Sequence, residues 1–283
     1  MQTDLKTGIA NFYDESSGLW ESMWGDHMHH GYYPEGGPPK NNQQAQVDMI
    51  EETLKWAGVS GASSMVDVGC GIGGSSRHIS RKFGCKATGI TLSPVQAARA
   101  NDLTAAAGLA DKLSFQVGDA LQQPFPDSSF DLVWSLESGE HMPNKKTFVS
   151  ELARVCAPGG NVIVVTWCHR VLQPGERLTE EEQSLLDRIC EAYYLPEWCS
   201  VADYESMFAA SGLEQIRSTD WSKEVAPFWK AVIQTALSAA GFQGLMKAGW
   251  TTIKGALVMP LMAQGLKTGL VRFNLITARK PKQ

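Results

Sequence analysis

From residue 65 onward, short apolar runs alternate with longer stretches in which apolar residues recur every three or four positions, the pattern of buried strands followed by amphipathic helices. Residues 65–68, 86–91, 113–118, 131–135 and 161–167 read as five strands, and 75–83, 94–107 and 146–155 as helices among them. Ser93 is placed to cap the second of these helices and Pro94 to occupy its first position, where a missing N–H costs nothing. The turn Ala157-Pro158-Gly159-Gly160 leads into the fifth strand. The rhythm then changes: residues 180–194 and 201–211 read as helices, 214–221 as a sixth strand and 270–278 as a closing seventh.

Strands separated by helices imply an α/β fold whose parallel sheet is wound on both faces. Two segments fall outside that core. Residues 226–267 carry helix-spaced apolar side chains, among them Phe228, Trp229, Phe242, Leu245, Met246, Trp250, Met259, Leu261 and Met262. Residues 1–62 form an aromatic-rich, helical lead-in. The expected organisation is a lead-in or lid over 1–62, a cofactor-binding core over 63–224, a helical substrate cap over 225–268, and a final core strand with the C-terminus over 269–283.

At 283 residues with 43% hydrophobic side chains, the chain can bury a sizeable core. A net charge of −5 argues against a nucleic-acid footprint, which needs clustered basic residues, and favours a small or neutral substrate. The six cysteines have no C-x-x-C spacing, so they read as reduced thiols rather than a zinc site or disulfide framework. No signal or transit segment is visible at the N-terminus, and no stretch reaches membrane-span length.

The first strand ends in Val66-Asp67-Val68 and runs into Gly69-Cys70-Gly71-Ile72-Gly73-Gly74. Glycines here let the backbone turn sharply and lie against a ligand, which points to a nucleotide-like cofactor. A ribose needs a polar partner at the end of strand two, commonly an acid about twenty residues after such a loop; this chain offers Thr91 and Gln96 instead. Asp119 and Ala120 follow strand three. Strand four runs through Ser135 into Glu137-Ser138-Gly139-Glu140-His141, ionisable groups at a carboxyl strand end. Glu140 and His141 are the sharpest catalytic candidates, because a carboxyl in a dry pocket titrates nearer neutrality and a histidine starts there. His169, at the end of strand five, is a further candidate to meet a substrate hydroxyl. His27, His29 and His30 lack the spacing of a helical metal site, so no metal is expected. The lead-in is expected to lie over the cofactor, with tyrosine or tryptophan faces toward positive charge.

The acidic-x-Gly-x-Gly-x-Gly loop resembles motif I of class I S-adenosylmethionine-dependent methyltransferases. Longer runs are more specific: Tyr-Asp-Glu-Ser-Ser-Gly-Leu-Trp from Tyr13, Trp-Gly-Asp-His-Met-His-His-Gly from Trp24, Gly-Ile-Thr-Leu-Ser-Pro-Val-Gln from Gly89, Glu-Ser-Gly-Glu-His-Met-Pro from Glu137, Val-Thr-Trp-Cys-His-Arg from Val165, Val-Ala-Pro-Phe-Trp from Val225 and Ile-Lys-Gly-Ala-Leu from Ile253. By these the chain resembles, over essentially its full length, the plant and algal gamma-tocopherol methyltransferases. The resemblance implies a Rossmann-like, doubly wound seven-stranded sheet with a helical lead-in and a helical insertion before the last strand. It implies S-adenosylmethionine as methyl donor and S-adenosylhomocysteine as product, held by Asp67, Gly69, Gly71, Thr91, Gln96, Asp119, Ala120 and Ser135, with Asp119 at the adenine amine.

The implied reaction is C-methylation of the chromanol ring of gamma- or delta-tocopherol, giving alpha- or beta-tocopherol in vitamin E synthesis in the chloroplast. Residues 225–267 would then accept the long prenyl tail, at about 0.8 kcal/mol per buried methylene, and dock at a lipid surface without spanning it. Three other readings stand beside this one. They are a tocopherol-like N-methyltransferase of indole alkaloids, a fatty-acyl cyclopropane synthase suggested by the Thr-Leu-Ser run, and a silent cofactor-binding scaffold.

Overall fold

The computed structural model describes residues 25–38, 40–236 and 250–282. Helix α1 (Asn42–Ala57) opens the folded part; its N-terminus is capped by the Asn41 side chain and its C-terminus ends on Gly58 in the left-handed conformation. The wound core follows as β1 (Ser64–Val68), α2 (Gly74–Phe83), β2 (Lys86–Thr91), α3 (Pro94–Ala106), β3 (Leu113–Val117), β4 (Phe130–Leu136), α4 (Lys145–Val155) and β5 (Cys156–His169). Next come α5 (Glu180–Tyr193), α6 (Val201–Ala210), β6 (Glu214–Asp220), α7 (Ser222–Ala236), α8 (Trp250–Thr268) and β7 (Val271–Arg279).

The seven strands form one sheet in the order β3-β2-β1-β4-β5-β7-β6. All neighbours are parallel except β7, which runs antiparallel to both β5 and β6. This is the Rossmann-like arrangement expected from the strand and helix rhythm. The chain leaves β1 toward β2 on one side and returns to β4 on the other, so a crevice opens at the carboxyl ends of β1 and β4, the switch point where open α/β sheets bind ligands.

Local sequence explains most boundaries. Ser93 caps α3 through the Gln96 N–H, with Pro94 in the first turn. Thr179 with Glu182 and Ser200 with Asp203 form reciprocal capping boxes at α5 and α6. Strand β5 departs from expectation: it starts at Cys156 rather than after the Ala157–Gly160 turn. Phe130 pairs with Cys156 and Leu132 with Asn161, so the turn residues form an irregularity inside the ladder.

One apolar core reaches beyond the sheet. Met49, Ile50 and Leu54 of α1, Val225 and Trp229 of α7, and Val258 and Met262 of α8 pack in one cluster with Trp134, Ile163, Trp167 and Phe273 of the sheet. In the lead-in the described helix is α1 alone; residues 25–38 run without helix or strand across the carboxyl edge of the sheet. The Tyr13–Trp20 run, Trp24 and the apolar residues Phe242, Leu245 and Met246 lie outside the described residues. Among the described residues, no helix is long and apolar enough to cross a membrane.

Candidate active site

The crevice is an open cleft. Strand β1 delivers Asp67 to it, buried, with its carboxylate accepting a 2.6 Å bond from Ser76 Oγ at the start of α2. Burial, only partly offset by Ser76, pushes the Asp67 carboxyl up to about 7. The chain then turns at Gly69, where φ is +83° and an added Cβ would sit 2.3 Å from Cβ of Ser138. At Gly74 a Cβ would meet the Asp26 carbonyl oxygen at 2.2 Å. The glycine loop is therefore pressed from one side by the segment after β4 and from another by the lead-in, and only a backbone without side chains fits between.

At the end of β2, Thr91 donates to Gln96 Oε1 at 2.8 Å, and both side chains are buried in the cleft wall. That bond turns the Gln96 amide nitrogen outward, 3.7 Å from Met28 Sδ. Asp119 and Ala120 line the cleft after β3, with Asp119 Oδ1 accepting from the Leu121 N–H at 2.9 Å. Ser135 does not line the cleft: it is fully buried, and its hydroxyl meets Ser138 Oγ at 2.5 Å while Ser138 donates to the Val68 carbonyl at 2.9 Å. Its role is to tie the end of β4 to the end of β1, one layer behind the glycine loop.

The lead-in crosses the mouth as Asp26-His27-Met28-His29. Burial, then repulsion from His29, His78 and Arg77, drives His27 down to about 2, and burial lowers His29. Neutral imidazoles and a thioether thus cover the glycine loop; of the aromatic faces expected here, Tyr13, Trp20 and Trp24 lie outside the described residues. Tyr32 packs instead on Trp221 with ring centroids 4.7 Å apart, and Tyr33 beside Phe228.

Three catalytic candidates divide. His141 lines the cleft, and burial lowers its imidazole to about 4. Glu140 is buried but not part of the lining; its Oε2 accepts from Thr166 Oγ1 at 2.8 Å. Burial and then repulsion from Glu137 push the Glu140 carboxyl up to about 8. His169 is not brought to this cleft. Its Nδ1 donates to the Arg170 carbonyl at 2.7 Å, and it borders a separate groove with Glu176, Thr179 and Gln183, because β5 ends beyond the switch point.

Sequence reading passed over a buried pair of which one member, Glu137, lines the cleft and the other, His30, stands behind it. Glu137 lines the cleft with a left-handed backbone, φ +54°, uncommon for a non-glycine residue. Its carboxylate accepts the His30 N–H and His30 Nδ1–H, each at 2.6 Å. Burial alone would raise this carboxyl, but attraction and hydrogen bonds from His30, with His29 adding, hold it below the usual range. No local signal joins residues 107 apart in sequence.

Residues 66–164 match the family model described as a methyltransferase domain. Over 98% of its length the chain is 59% identical to the probable chloroplastic tocopherol O-methyltransferase of Oryza sativa subsp. japonica, covering 79% of that protein. It is 56% identical to the chloroplastic tocopherol O-methyltransferase of Arabidopsis thaliana, covering 98% of this chain and 83% of the other. The chain belongs to the tocopherol methyltransferase family. Among solved structures, geranyl diphosphate C-methyltransferase from Streptomyces coelicolor A3(2) superposes with a TM-score of 0.77, covering 98% of this chain and 97% of that one at 20% identity, a likeness of fold alone.

For a tocopherol methyltransferase family member, the residues present suit S-adenosylmethionine. At Gly71 the loop is covered less tightly than at Gly69 and Gly74, since an added Cβ would meet Met28 Sδ at 3.6 Å, an ordinary van der Waals distance. Thr91 and Gln96 offer polar groups to a ribose, and Asp119 offers a carboxylate beside Ala120 to an amine. When bound, that group supplies a methyl carbon made electrophilic by a sulfonium.

Proposed function

We propose that the protein transfers a methyl group from S-adenosylmethionine to a ring carbon of a chromanol, with gamma-tocopherol and delta-tocopherol as acceptors and alpha- and beta-tocopherol as products, in the chloroplast. The observation that carries this reading is similarity over nearly the whole chain to two proteins named as chloroplastic tocopherol methyltransferases. Asp67, Gly69, Gly71, Thr91, Gln96, Asp119 and Ala120 are the donor-binding residues in this reading. His141 and Glu137 border the cleft where the acceptor would approach.

The chemistry asks little of covalent catalysis. Positioning a nucleophilic carbon in line with the donor methyl and excluding water supply most of the acceleration. The buried cluster of Trp167, Phe228, Trp229 and Phe273 around His30 lies behind the lining residue Glu137 and is apolar surface of the kind that suits an aromatic head with an apolar tail. Contact of residues 225–267 with a lipid surface is part of the proposal, since such acceptors reside in membranes.

The test is incubation of the purified protein with labelled S-adenosylmethionine and, separately, gamma-tocopherol and an indole alkaloid amine. Methylation at oxygen or carbon gives the same mass, so ring-proton NMR decides. Loss of the aromatic proton signal with a new ring methyl supports the proposal; a methoxy signal overturns the site of transfer, and methyl on alkaloid nitrogen overturns the acceptor.

A further inference from the structure

We propose that His30 is the catalytic base of this methyl transfer, with Glu137 positioning it and Trp229 donating to the same acceptor oxygen. The inference rests on the phenolic acceptor proposed above. An ionised carboxylate only accepts, so the 2.6 Å contact between Glu137 Oε2 and His30 Nδ1 requires the hydrogen on Nδ1. With Nδ1–H committed to Glu137, a neutral ring presents its lone pair at Nε2. A second bond, from the His30 backbone N–H to Glu137 Oε1, fixes the segment as well as the ring. Glu137 itself is pinned at the cleft wall by its left-handed backbone, and the indole Nε1 of Trp167 approaches its Oε2 at 3.5 Å.

Among the described residues, buried His30 Nε2 has no hydrogen-bond partner, and neither has Nε1 of Trp229. The two rings belong to one aromatic cluster, centroids 4.9 Å apart, with Trp167 and Phe228 at 5.1 and 4.5 Å from the His30 ring. Buried polar atoms left unpaired are rare and call for an explanation. Here one is a lone pair and the other an N–H, and a single hydroxyl, which donates once and accepts, answers both. The surrounding aromatic faces suit a planar chromanol. Other titratable groups near His30 are His29 on the same segment and Glu140 behind Glu137.

In the step this assigns, the acceptor hydroxyl gives its proton to His30 Nε2 and its electron density moves to the ortho carbon. That carbon bonds to the donor methyl as the methyl–sulfur bond breaks, its electron pair staying on sulfur. The ring carbon then loses its hydrogen as a proton, restoring aromaticity, while His30 returns a proton to the oxygen. One proton is released to solvent per turnover.

The experiment compares wild type, His30→Gln and Glu137→Gln with a series of gamma-tocopherol analogues of increasing hydroxyl acidity. Affinity for S-adenosylhomocysteine is measured calorimetrically on each. His30→Gln is expected to lower kcat on the order of a hundredfold or more, with donor affinity changed by less than about twofold, and the loss should shrink as the acceptor becomes more acidic. Glu137→Gln should show a smaller loss with the same dependence. Should His30→Gln disturb donor affinity, His30→Ala with added imidazole replaces it, and partial rescue is expected. A loss independent of acceptor acidity, absence of rescue, or a His30→Gln kcat within about threefold of an active wild type overturns the base assignment alone. A wild type inactive on every phenol overturns the acceptor reading, and this inference with it.

Discussion

Replacing Gly69 by alanine isolates the packing that shapes the glycine loop. The new Cβ would sit 2.3 Å from Ser138 Cβ and 2.7 Å from Ser138 Oγ, on a backbone at φ +83°. The left-handed backbone costs a residue with a Cβ about 1–2 kcal/mol. Moving Ser138 away also breaks its bonds to the Val68 carbonyl and Ser135 Oγ, at about 1 kcal/mol each. The sum is about 3–4 kcal/mol, a fall in Tm of about 6–16 °C for a chain of this size. Gly84→Ala is the control: Gly84 has φ +72° with nothing within 4 Å of an added Cβ, so it carries the backbone cost alone, a few degrees by the same scaling, roughly 2–8 °C. Thermal unfolding and calorimetric titration with S-adenosylhomocysteine are run on both. Gly69→Ala should melt lower than Gly84→Ala and bind more weakly, while Gly84→Ala should bind like wild type. If the two variants melt alike and both retain wild-type affinity, the loop is not held against Ser138 as argued.

Asp67→Ala should abolish binding of S-adenosylhomocysteine; an unchanged calorimetric affinity would refute the role of this carboxylate at the donor. Thr91→Val removes the hydroxyl that orients Gln96 and is expected to weaken that binding roughly tenfold, the value of one net hydrogen bond of about 1.4 kcal/mol; equal affinity would detach the pair from the ribose. Glu140, with its carboxyl near 8 in the fold against 4.5 ordinarily, keeps a proton that the unfolded chain releases. Its protonated form therefore contributes stability below about pH 4.5 that is lost as pH rises toward 8. Melting curves of wild type should fall relative to Glu140→Gln across that window, and turnover of the variant near pH 7 should be largely kept because glutamine mimics the protonated acid. A collapse of kcat at intact donor affinity would place Glu140 in the chemistry.

Much of the fold was legible in the chain because its information is local. Strand and helix periods, the Ser93-Pro94 start of α3 and the glycine loop after Asp67 each depend on neighbours within a few residues. So does the side of the cleft proposed to hold the donor: Asp67, Thr91, Gln96 and Asp119 all sit just at or beyond the carboxyl ends of their strands, and strand ends converge on one edge once the sheet is parallel. The side proposed to meet the acceptor was not legible. Glu137, Glu140 and His141 lie within five residues of one another, and nothing in their spacing says which faces the cleft. A positive φ at Glu137 and a short 3-10 turn over Gly139–His141 decide it. Glu140 turns back to Thr166, while Glu137 meets His30 from the lead-in. Likewise His169 shares its position at a strand end with the other candidates, yet β5 carries it past the switch point to a different groove. Sequence determined the elements and the residues that line the β1–β2–β3 side of the cleft, which rest on short-range geometry. Only the tertiary structure decided what each ionisable group meets, because those contacts join residues 26 and 107 positions apart and depend on single backbone turns.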